Sequence, residues 1–258
     1  MNYENRIVCF LDILAFKKQI LSSVDKDGTD STKMIADIVN MLSGIRDILD
    51  IDKAEERPGT EITQFSDSVV ISFPENTESG VFYVLLYIMW VQIYLVHQGF
   101  LCRGGIAHGK LIHTSKLLFG PAFLDAYDLE LNVAVYPRVI LAKSIIEAGV
   151  KAHASYNLPK HEEKSIMSLL EQDCDGMYYI NYITGAQSEL DDPELDYPNY
   201  LFQLQQIIAD NIGIESPSIV QKYSWLKEKL DPHLIELKKV AAMRFPDRDI
   251  LYNAYQSL

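Results

Sequence analysis

The sequence predicts an α+β fold, in which a mixed β-sheet flanked by helices is followed by a mostly helical C-terminal extension. Residues 6–12 form an apolar run that ends in Asp12 and is typical of a central strand covered on both faces. In segment 61–73, β-branched residues flank Ser66 and Asp67 and predict a hairpin. Between them, apolar residues recur at helical spacing over 34–45. Elements in this order favour a sheet with helices packed on it.

The elements after the hairpin continue the same pattern. Residues 81–96 are almost continuously apolar and predict a helix that Gly99 ends. Because this run is shorter than the roughly 20 apolar residues that span a bilayer, we expect it to lie in a core or a subunit interface. The next three segments predict a strand at 100–107 with a turn after it at Gly109 and Lys110, a helix from Pro121 to residue 130, and a strand at 137–141.

From about residue 158 the pattern changes. We predict a helix at 162–171, a strand at 176–182, an acidic loop at 188–197, and two or three helices over 200–258 that break at Pro217, Pro232 and Pro246. We therefore divide the chain into a core of residues 1–157 and an extension of residues 158–258 that packs on the core. No flexible linker separates the two parts.

The charge of the chain limits its partners. Its 258 residues include 36 acidic and 23 basic side chains, which leaves a formal net charge of -13. Such a surface repels nucleic acid, whose binding depends on clustered Lys and Arg, so we expect no stable nucleic-acid complex. A small anionic nucleotide is still compatible with this charge, because a bound metal ion reverses the local field.

The cysteines and the N-terminus point to a cytoplasmic protein that does not enter a membrane. Cys9, Cys102 and Cys174 are widely spaced and form no CxxC pair, which disfavours a zinc ribbon or a disulfide framework. The first six residues lack the charged and then apolar layout of a secretory signal.

Asp12 and Asp67 are the residues that could carry chemistry. One is expected at the end of a central strand and the other at the tip of a hairpin. Two carboxylates that converge there offer the hard oxygen ligands that Mg²⁺ and Mn²⁺ prefer. A paired metal site activates a hydroxyl and neutralises the charge of a triphosphate. An aspartate at a strand end is also often a cap or turn former, and that alternative stays open for each residue.

Four segments, in order, resemble the motifs of class III nucleotide cyclases. They are the first metal-binding strand at 10–16 (FLDILAF), the hairpin with the second metal aspartate at 65–70 (FSDSVV), the strand at 103–109 (RGGIAHG), and the helix at 119–130 (FGPAFLDAYDLE). Their variants look most like the Pycsar pyrimidine cyclases of bacteria. Those enzymes make cyclic UMP or cyclic CMP as an alarm signal during phage infection.

The resemblance implies a ferredoxin-like core and a homodimer with its sites at the subunit interface. Asp12, Asp67 and the backbone carbonyl of Ile13 would hold two Mn²⁺ or Mg²⁺ ions. The ribose 3′-hydroxyl of UTP or CTP would attack the α-phosphorus and release pyrophosphate. A downstream effector with a cyclic-nucleotide-binding domain would respond to the product without binding the enzyme directly.

The chain departs from the family pattern at several positions. Ala15 stands where most cyclases carry Gly, and Leu124 and Asp128 occupy the slots of an Asn and an Arg that organise the ribose and the transition state. Neither side chain donates a hydrogen bond to a phosphate. Arg138 either replaces the missing arginine or is an ordinary salt-bridging residue. Thr63 falls where adenylyl cyclases carry a purine-contacting Lys.

Phe16, Lys17, Thr63 and Arg103 complete the set of candidate substrate-binding residues. Lys17 either contacts phosphate or is solvated, and Arg103 either forms a structural ion pair or points at the substrate. Residues outside this set that we interpret as structural are His108 and His113, which lack metal-ligand spacing, and Tyr83, Tyr87 and Tyr94, which recur at helical spacing on a core or dimer surface.

Three functions remain in competition. The first is a pyrimidine nucleotide cyclase that acts in anti-phage defence, and the second is an adenylate or guanylate cyclase on the same fold. The third is a catalytically silent cyclase-like dimer that serves as a scaffold or nucleotide sensor. A diguanylate cyclase is disfavoured because no GGDEF-like hairpin accompanies the aspartates. The sequence leaves the base, the trigger and the effector open.

Overall fold

The computed structural model describes residues 2–51, 59–214 and 216–244, with side chains to residue 239. The strands within these residues are β1 (Glu4–Ile13), β2 (Glu61–Phe65), β3 (Ser68–Pro74), β4 (Cys102–His113), β5 (Leu118–Phe119), β6 (Val139–Leu141), β7 (Leu170–Gln172) and β8 (Tyr178–Ile180). The α-helices are α1 (Phe16–Ser22), α2 (Thr32–Ile48), α3 (Gly80–His97), α4 (Pro121–Asp128), α5 (Lys143–Lys151), α6 (Pro159–Ser168), α7 (Pro193–Asn211) and α8 (Pro217–Arg244).

The strands form one mixed sheet in the order β2-β3-β1-β4-β6-β8-β7, with β5 added to β4. The first four strands pair antiparallel. With the helices that connect β1 to β2 and β3 to β4, their order is that of a ferredoxin-like core. β6 then pairs parallel to β4, which makes the sheet mixed. The α+β class and the ferredoxin-like sheet are therefore confirmed, and so is a mostly helical C-terminal part.

β1 is the central strand that its apolar run predicts. Ile7, Cys9 and Leu11 belong to the main core, which α3 covers, whereas Val8 and Phe10 face the second core on the opposite side of the sheet. Burial on both faces removes the need for alternating polar residues. Each such side chain contributes about 1.5–3 kcal/mol when it leaves water, so β1 holds the two layers together and fixes where Asp12 lies.

α3 is the buried helix that the apolar run predicts. It is long and apolar enough to cross a membrane by length and composition, but more than half of it is buried inside the fold. Its Leu85 and Ile88 are fully covered by the main core. A helix with apolar residues on most of its circumference fits such a position, because most of its surface contacts other elements.

Gly105 sets how closely α4 approaches the sheet. A Cβ atom at this position would lie 2.5 Å from the Cβ of Leu129 and 2.6 Å from the carbonyl oxygen of Ala126. Only glycine leaves room for the end of α4 there. The helix continues as a π-helical turn (Leu129–Val133), which places Glu130 against β4.

The C-terminal part shares the sheet and the core with the rest of the chain. β8 pairs with β6, and buried residues of α7 and α8 belong to the main core. The boundary between residues 157 and 158 stays a prediction. All three cysteines are free, with Cys9 and Cys102 buried.

Three local predictions are wrong. Segment 188–197 is not one loop, because a 3₁₀ turn (Gly185–Glu189) is followed by α7 from Pro193. Pro232 does not end a helix, since α8 passes through it and buries Leu230 and Leu234 on either side. Gly109 makes no turn and stays in β4 opposite Arg6. In each segment, packing against neighbouring elements outweighs the local propensity. The predicted break at Pro246 lies outside the described residues.

Candidate active site

The ends of β1 and of the β2–β3 hairpin bring Asp12 and Asp67 side by side. The hairpin turns at Ser66, whose φ of 54° is in the left-handed region, and Asp67 is the next residue. The backbone N–H of Ile13 donates to the carbonyl oxygen of Asp67 at 3.0 Å. Asp12 is paired with Ser68 on β3 and with Arg103 on β4. The two aspartates are thus neighbours at the end of the central strand β1.

The electrostatics of Asp12 show how close its neighbours are. Burial raises the pKa of Asp12, and the negative charge of Asp67 raises it further, whereas Arg103, a hydrogen bond from Ser68 at 3.5 Å and Lys222 act in the opposite direction. Two carboxylates that repel each other favour a cation between them.

The donor set fits a hard divalent cation that keeps some of its water. Two aspartates and the adjacent backbone carbonyl of Ile13 are oxygen donors of the kind that Mg²⁺ and Mn²⁺ take, usually with waters and substrate phosphates in the remaining positions. In the part of the chain that the structure describes, no three His, Cys, Asp or Glu side chains converge to form an all-protein metal site. The role of Asp12 and Asp67 as metal ligands therefore stays a prediction.

Arg103, which lies opposite Asp12 on β4, forms an ion pair with Glu130. Glu130 comes from the π-helical turn after α4 and is almost completely buried, and Arg103 reaches it from β4. Burial raises the pKa of Glu130, although Arg103 opposes that effect. The pair supports the structural interpretation of Arg103. Glu130 belongs to the fourth motif, but the sequence did not predict that it pairs with Arg103. The available signal was the arginine itself, because an arginine that lies largely buried on a strand requires an acidic partner.

Lys222 is a site neighbour that the sequence did not reveal. It lies on α8, far along the chain, yet its charge interacts with Asp12, Glu130 and Arg103. Burial lowers the pKa of Lys222, an effect that Arg103 reinforces and the two carboxylates oppose. No local pattern distinguishes this lysine from others on an amphipathic helix, so only the packing of α8 could reveal it.

The segment that follows Asp12 contains three more of the predicted positions. Ala15 adopts φ 63°, a left-handed conformation that disfavours residues with a side chain. Phe16 is only 4% exposed and belongs to the main core, so its side chain is not available to a substrate, contrary to the prediction. The apolar ring packs there because its burial removes apolar surface from water. Lys17 is exposed at the rim of a cleft.

This cleft, which we call the α1–α8 cleft, has a volume of about 560 Å³ and lies between the start of the core and the C-terminal part. The residues that define it include Leu14, Lys17, Lys18, Asn211, Lys222 and Tyr223. Leu14 and Ala15 connect it directly to Asp12 along the chain.

Thr63 lies at the end of a hydrogen-bonded chain. Its hydroxyl is 2.9 Å from Nε2 of His113, and Nδ1 of His113 is 2.9 Å from the hydroxyl of Ser72, which also accepts from Nε of Arg6. Burial, with a smaller effect from Arg6, lowers the pKa of His113 to about 4. His113 thereby holds Thr63 in one orientation.

Arg138 does not reach Asp12. It is 1% exposed, and its guanidinium donates to Asp173 at 2.6 Å and to Asp175. The ring of Tyr136 lies 4.9 Å from the guanidinium carbon. These partners occupy both terminal nitrogens and support the salt-bridging alternative. The side chains in the slots of the family Asn and Arg, Leu124 and Asp128, are both exposed on α4.

The remaining histidine and tyrosine side chains that we interpret from the sequence as structural lie outside the site. His108 pairs with Glu75 on the surface. On α3, the hydroxyl of Tyr94 donates to the carbonyl oxygen of Asn40 at 3.0 Å, whereas Tyr83 is exposed.

Comparison with known proteins gives the following results. No protein-family model matches the chain, and no curated protein matches its sequence. A bacterial light-regulated adenylyl cyclase aligns at 19% identity and a TM-score of 0.41, over 70% of this chain and 92% of that one. The adenylyl cyclase CyaB from P. aeruginosa aligns at 14% identity and a TM-score of 0.42, over 69% and 94%. At these values neither structure assigns an activity to this chain.

Proposed function

We propose that this protein is a metal-dependent nucleotide cyclase that converts UTP or CTP to the 3′,5′-cyclic nucleotide and pyrophosphate. One observation carries the proposal: Asp12 and Asp67, each in its cyclase-like motif, lie side by side where β1 and the β2–β3 hairpin end. Their mutual repulsion favours a divalent cation, and phosphoryl chemistry requires little more from a protein than positioning and charge neutralisation.

The residues around Asp12 have distinct roles in this proposal. Asp12, Asp67 and the carbonyl of Ile13 would hold the metal, which would neutralise phosphate charge and lower the pKa of the attacking hydroxyl. The ion pair of Arg103 with Glu130 keeps Asp12 in position from the neighbouring strand. The ribose 3′-oxygen would then bond to the α-phosphorus as the bond to pyrophosphate breaks, and the hydroxyl proton would pass to solvent water.

Thr63 is the residue that favours a pyrimidine over a purine. A lysine at this position contacts the purine in adenylyl cyclases, and Thr63 replaces it with a short hydroxyl that His113 orients. The threonine hydroxyl has a single hydrogen-bond donor and is shorter than a lysine side chain. It therefore cannot make the contact that the lysine makes with a purine. An adenylate or guanylate cyclase is therefore the weaker alternative.

A homodimer is part of the proposal, because the family builds its sites between two subunits. Exposed apolar side chains support it: Phe65 at the hairpin tip is 79% exposed, and Leu124 on α4 is 59% exposed. Phe119, Leu131 and Val133, all near α4, are exposed as well. Large apolar side chains that remain exposed on the hairpin and beside α4 are candidates for such an interaction surface.

The proposal is tested by incubating the purified chain with Mn²⁺ and each of the four NTPs, with product identification by mass spectrometry. We expect cyclic UMP or cyclic CMP from the wild type, and at least a 100-fold lower rate from Asp12→Asn, because a metal ligand is lost. Asp210→Asn, which changes an exposed acid on α7, is the matched control and should retain full activity.

A binding measurement separates a lost site from a damaged fold. Mn²⁺ at 100 times its dissociation constant should stabilise the wild type by about 2.7 kcal/mol. It should not stabilise Asp12→Asn, whose free energy of unfolding without metal should be at least that of the wild type, since a repelling charge is gone. A folded wild-type dimer that forms no cyclic product from any NTP would rule out the cyclase.

A catalytically silent dimer is the second candidate. The exposed Leu124 and Asp128 favour it, because neither can stabilise the charge of a transition state as the family arginine does. Nucleotide binding without turnover under all metal conditions would identify the chain as a sensor or scaffold.

The defence role depends on the resemblance of the motif variants to the Pycsar enzymes, whereas the proposed cytoplasmic location depends on the three free, widely spaced cysteines. Bacteria that express the chain together with its neighbouring effector gene should resist phage. The same cells with Asp12→Asn should be as sensitive as cells without the chain. Equal resistance in both strains would exclude a cyclic-nucleotide signal.

A further inference from the structure

Lys222 is a half-buried lysine that has no ion-pair partner among the described residues, although three charged side chains surround it. Asp12 and Glu130 attract its ammonium group, and Arg103 repels it. Its ammonium group carries three hydrogen-bond donors on a flexible stem. A lysine held in this way has donors available to an anion that enters the cleft.

The packing of α8 fixes the location of Lys222. Tyr223, Trp225 and Leu226, which follow it on the helix, are buried in the main core. The indole N–H of Trp225 donates to Asp173 at 2.8 Å, and Lys229 lies 3.2 Å from the same residue. With the helix anchored by these contacts, Lys222 lines the α1–α8 cleft and its charge interacts with Asp12.

The opposite wall of the cleft is also basic. Lys17 and Lys18, from α1, line it, and neither forms an ion pair within the described part of the chain. Lys17, Lys18 and Lys222 thus line one cleft of a protein whose net charge is -13, and none of them forms an ion pair within the described residues. Charge of one sign in a concave site attracts ligands of the opposite sign. The expected ligand is therefore a polyanion.

We propose that Lys222 is a phosphate-binding residue and that the α1–α8 cleft holds the polyphosphate part of the nucleotide, an inference that rests on the proposed function above. The C-terminal part thereby completes a site whose metal ligands belong to the core. The α-phosphorus lies at Asp12 and Asp67, and the β- and γ-phosphates extend along the chain past Ala15 towards the lysines.

Inorganic pyrophosphate and tripolyphosphate are the probes, measured by calorimetry with the full chain. Lys222→Gln and Lys222→Met should each weaken binding about tenfold, whereas Lys222→Arg should stay within twofold of the wild type because it keeps the charge. Lys227→Gln is the matched control, since Lys227 lies on the same helix, is exposed and pairs with Asp231 at 2.7 Å. It should bind as the wild type does. The double variant Lys17→Gln, Lys18→Gln tests the opposite wall and should also weaken binding.

Kinetics supply a readout that a structural role would not change. In Lys222→Gln the KM for the nucleotide should rise about tenfold with a smaller fall in kcat, because the lysine binds phosphate in the ground state as well. Thermal unfolding should be unchanged in Lys222→Met, since the apolar stem of the side chain remains.

Failure of this inference is distinguishable from failure of the proposed function. If the wild type makes a cyclic nucleotide but Lys222→Gln binds pyrophosphate as well as the wild type, the inference is wrong and the cyclase stands. If no NTP is cyclised, pyrophosphate binding by the same variants still decides whether the cleft takes polyphosphate. A variant that binds pyrophosphate or the metal more tightly would show that Lys222 competes with the ligand, and would overturn the proposal.

Discussion

Charges of both signs surround Asp12 at the end of β1. Asp67 and Glu130 are negative, and Arg103 and Lys222 are positive, so the five side chains together carry one negative charge when all are ionised. A divalent cation bound here would make the net charge of the cluster positive. The cluster would then attract a triphosphate, which the acidic surface elsewhere repels. The local charge is therefore compatible with the proposed nucleotide substrate, although the net charge of the chain is -13.

Ala15 stands where the cyclase motif that residues 10–16 resemble has a glycine. Its φ of 63° is a conformation that glycine adopts freely and alanine adopts at a cost of about 1–2 kcal/mol. The backbone nevertheless keeps the turn, because Phe16 is anchored in the core and Leu14 N–H donates to the carbonyl oxygen of Leu101 at 2.8 Å. Packing on both sides therefore outweighs the local strain.

At the residue scale, His113 makes the stability of the fold depend on pH. The folded chain protonates His113 only near pH 4, whereas the unfolded chain does so near pH 6.5, because burial and Arg6 lower the pKa of the folded state. Between these values the unfolded chain binds more protons, so the free energy of unfolding falls as the pH falls from 6.5 to 4. The full effect of this single group is roughly 3 kcal/mol or slightly more.

Chemical denaturation of the wild type and His113→Gln across this pH range measures the effect. The difference between their unfolding free energies should shrink as the pH decreases, because the variant has no ring to protonate. His161→Gln, which changes an exposed histidine on α6, is the control and should follow the wild type. Parallel pH profiles for the wild type and His113→Gln would contradict the burial of a neutral imidazole beside Ser72 and Thr63.

At the scale of elements, α4 and the π-helical turn after it link the sheet to the site. π-helical turns are rare and often lie at functional sites. This one directs Glu130 inward to Arg103 while Leu131 and Val133 remain exposed. The position of the turn depends on the close approach of α4 to β4 at Gly105. The packing of one helix therefore determines both the ion pair below Asp12 and the apolar surface beside it.

Gly105→Ala tests this dependence. The added methyl group would lie 2.5 Å from a Cβ atom and 2.6 Å from a carbonyl oxygen, so α4 must move away from the sheet. We expect a loss of about 1–3 kcal/mol in the free energy of unfolding, together with reduced activity, because overpacking displaces Glu130. Gly213→Ala adds its methyl group to open space and should change stability by less than about 0.5 kcal/mol. A Gly105→Ala variant as stable as the wild type would show that α4 can shift without strain.

At the scale of the whole molecule, the sheet continues from the ferredoxin-like core into the C-terminal part through β8 and β7. The buried cluster of Arg138, Asp173 and Trp225 lies where β6 and α8 meet. Removing one partner of such a cluster leaves a buried charge uncompensated. The C-terminal part is therefore joined to the core by both apolar packing and ion pairs, which lets α8 hold Lys222 beside Asp12.

The proposed homodimer gives a prediction for the assembly. Phe65→Lys places a charge on the most exposed aromatic ring of the hairpin tip and should convert the dimer to a monomer in light scattering. Cyclase activity should be lost together with the dimer. The free energy of unfolding of the monomer should change little, because the side chain is already exposed to solvent. Tyr156→Lys is the matched control, since Tyr156 is equally exposed but lies between α5 and α6. A Phe65→Lys variant that stays dimeric would exclude the hairpin from the interface.

The sequence by itself determined the elements whose patterns are local. The apolar run of β1, the hairpin about Ser66 and Asp67 and the buried helix α3 could be read directly, because burial on two faces, turn chemistry and length each leave a signature in consecutive residues. The motif positions of Asp12 and Asp67 could be found in the same way. Strand ends that neighbour each other in a ferredoxin-like sheet bring these two residues together.

Only the tertiary structure decided the contacts between distant segments. Arg138 has its acidic partners on the far side of β6, Phe16 turns into the core, α8 continues through Pro232, and Lys222 reaches the neighbourhood of Asp12. None of these outcomes depends on neighbours in the sequence. Each follows from the burial of apolar faces that lie far apart along the chain, and the free energy of that burial overrides local propensity.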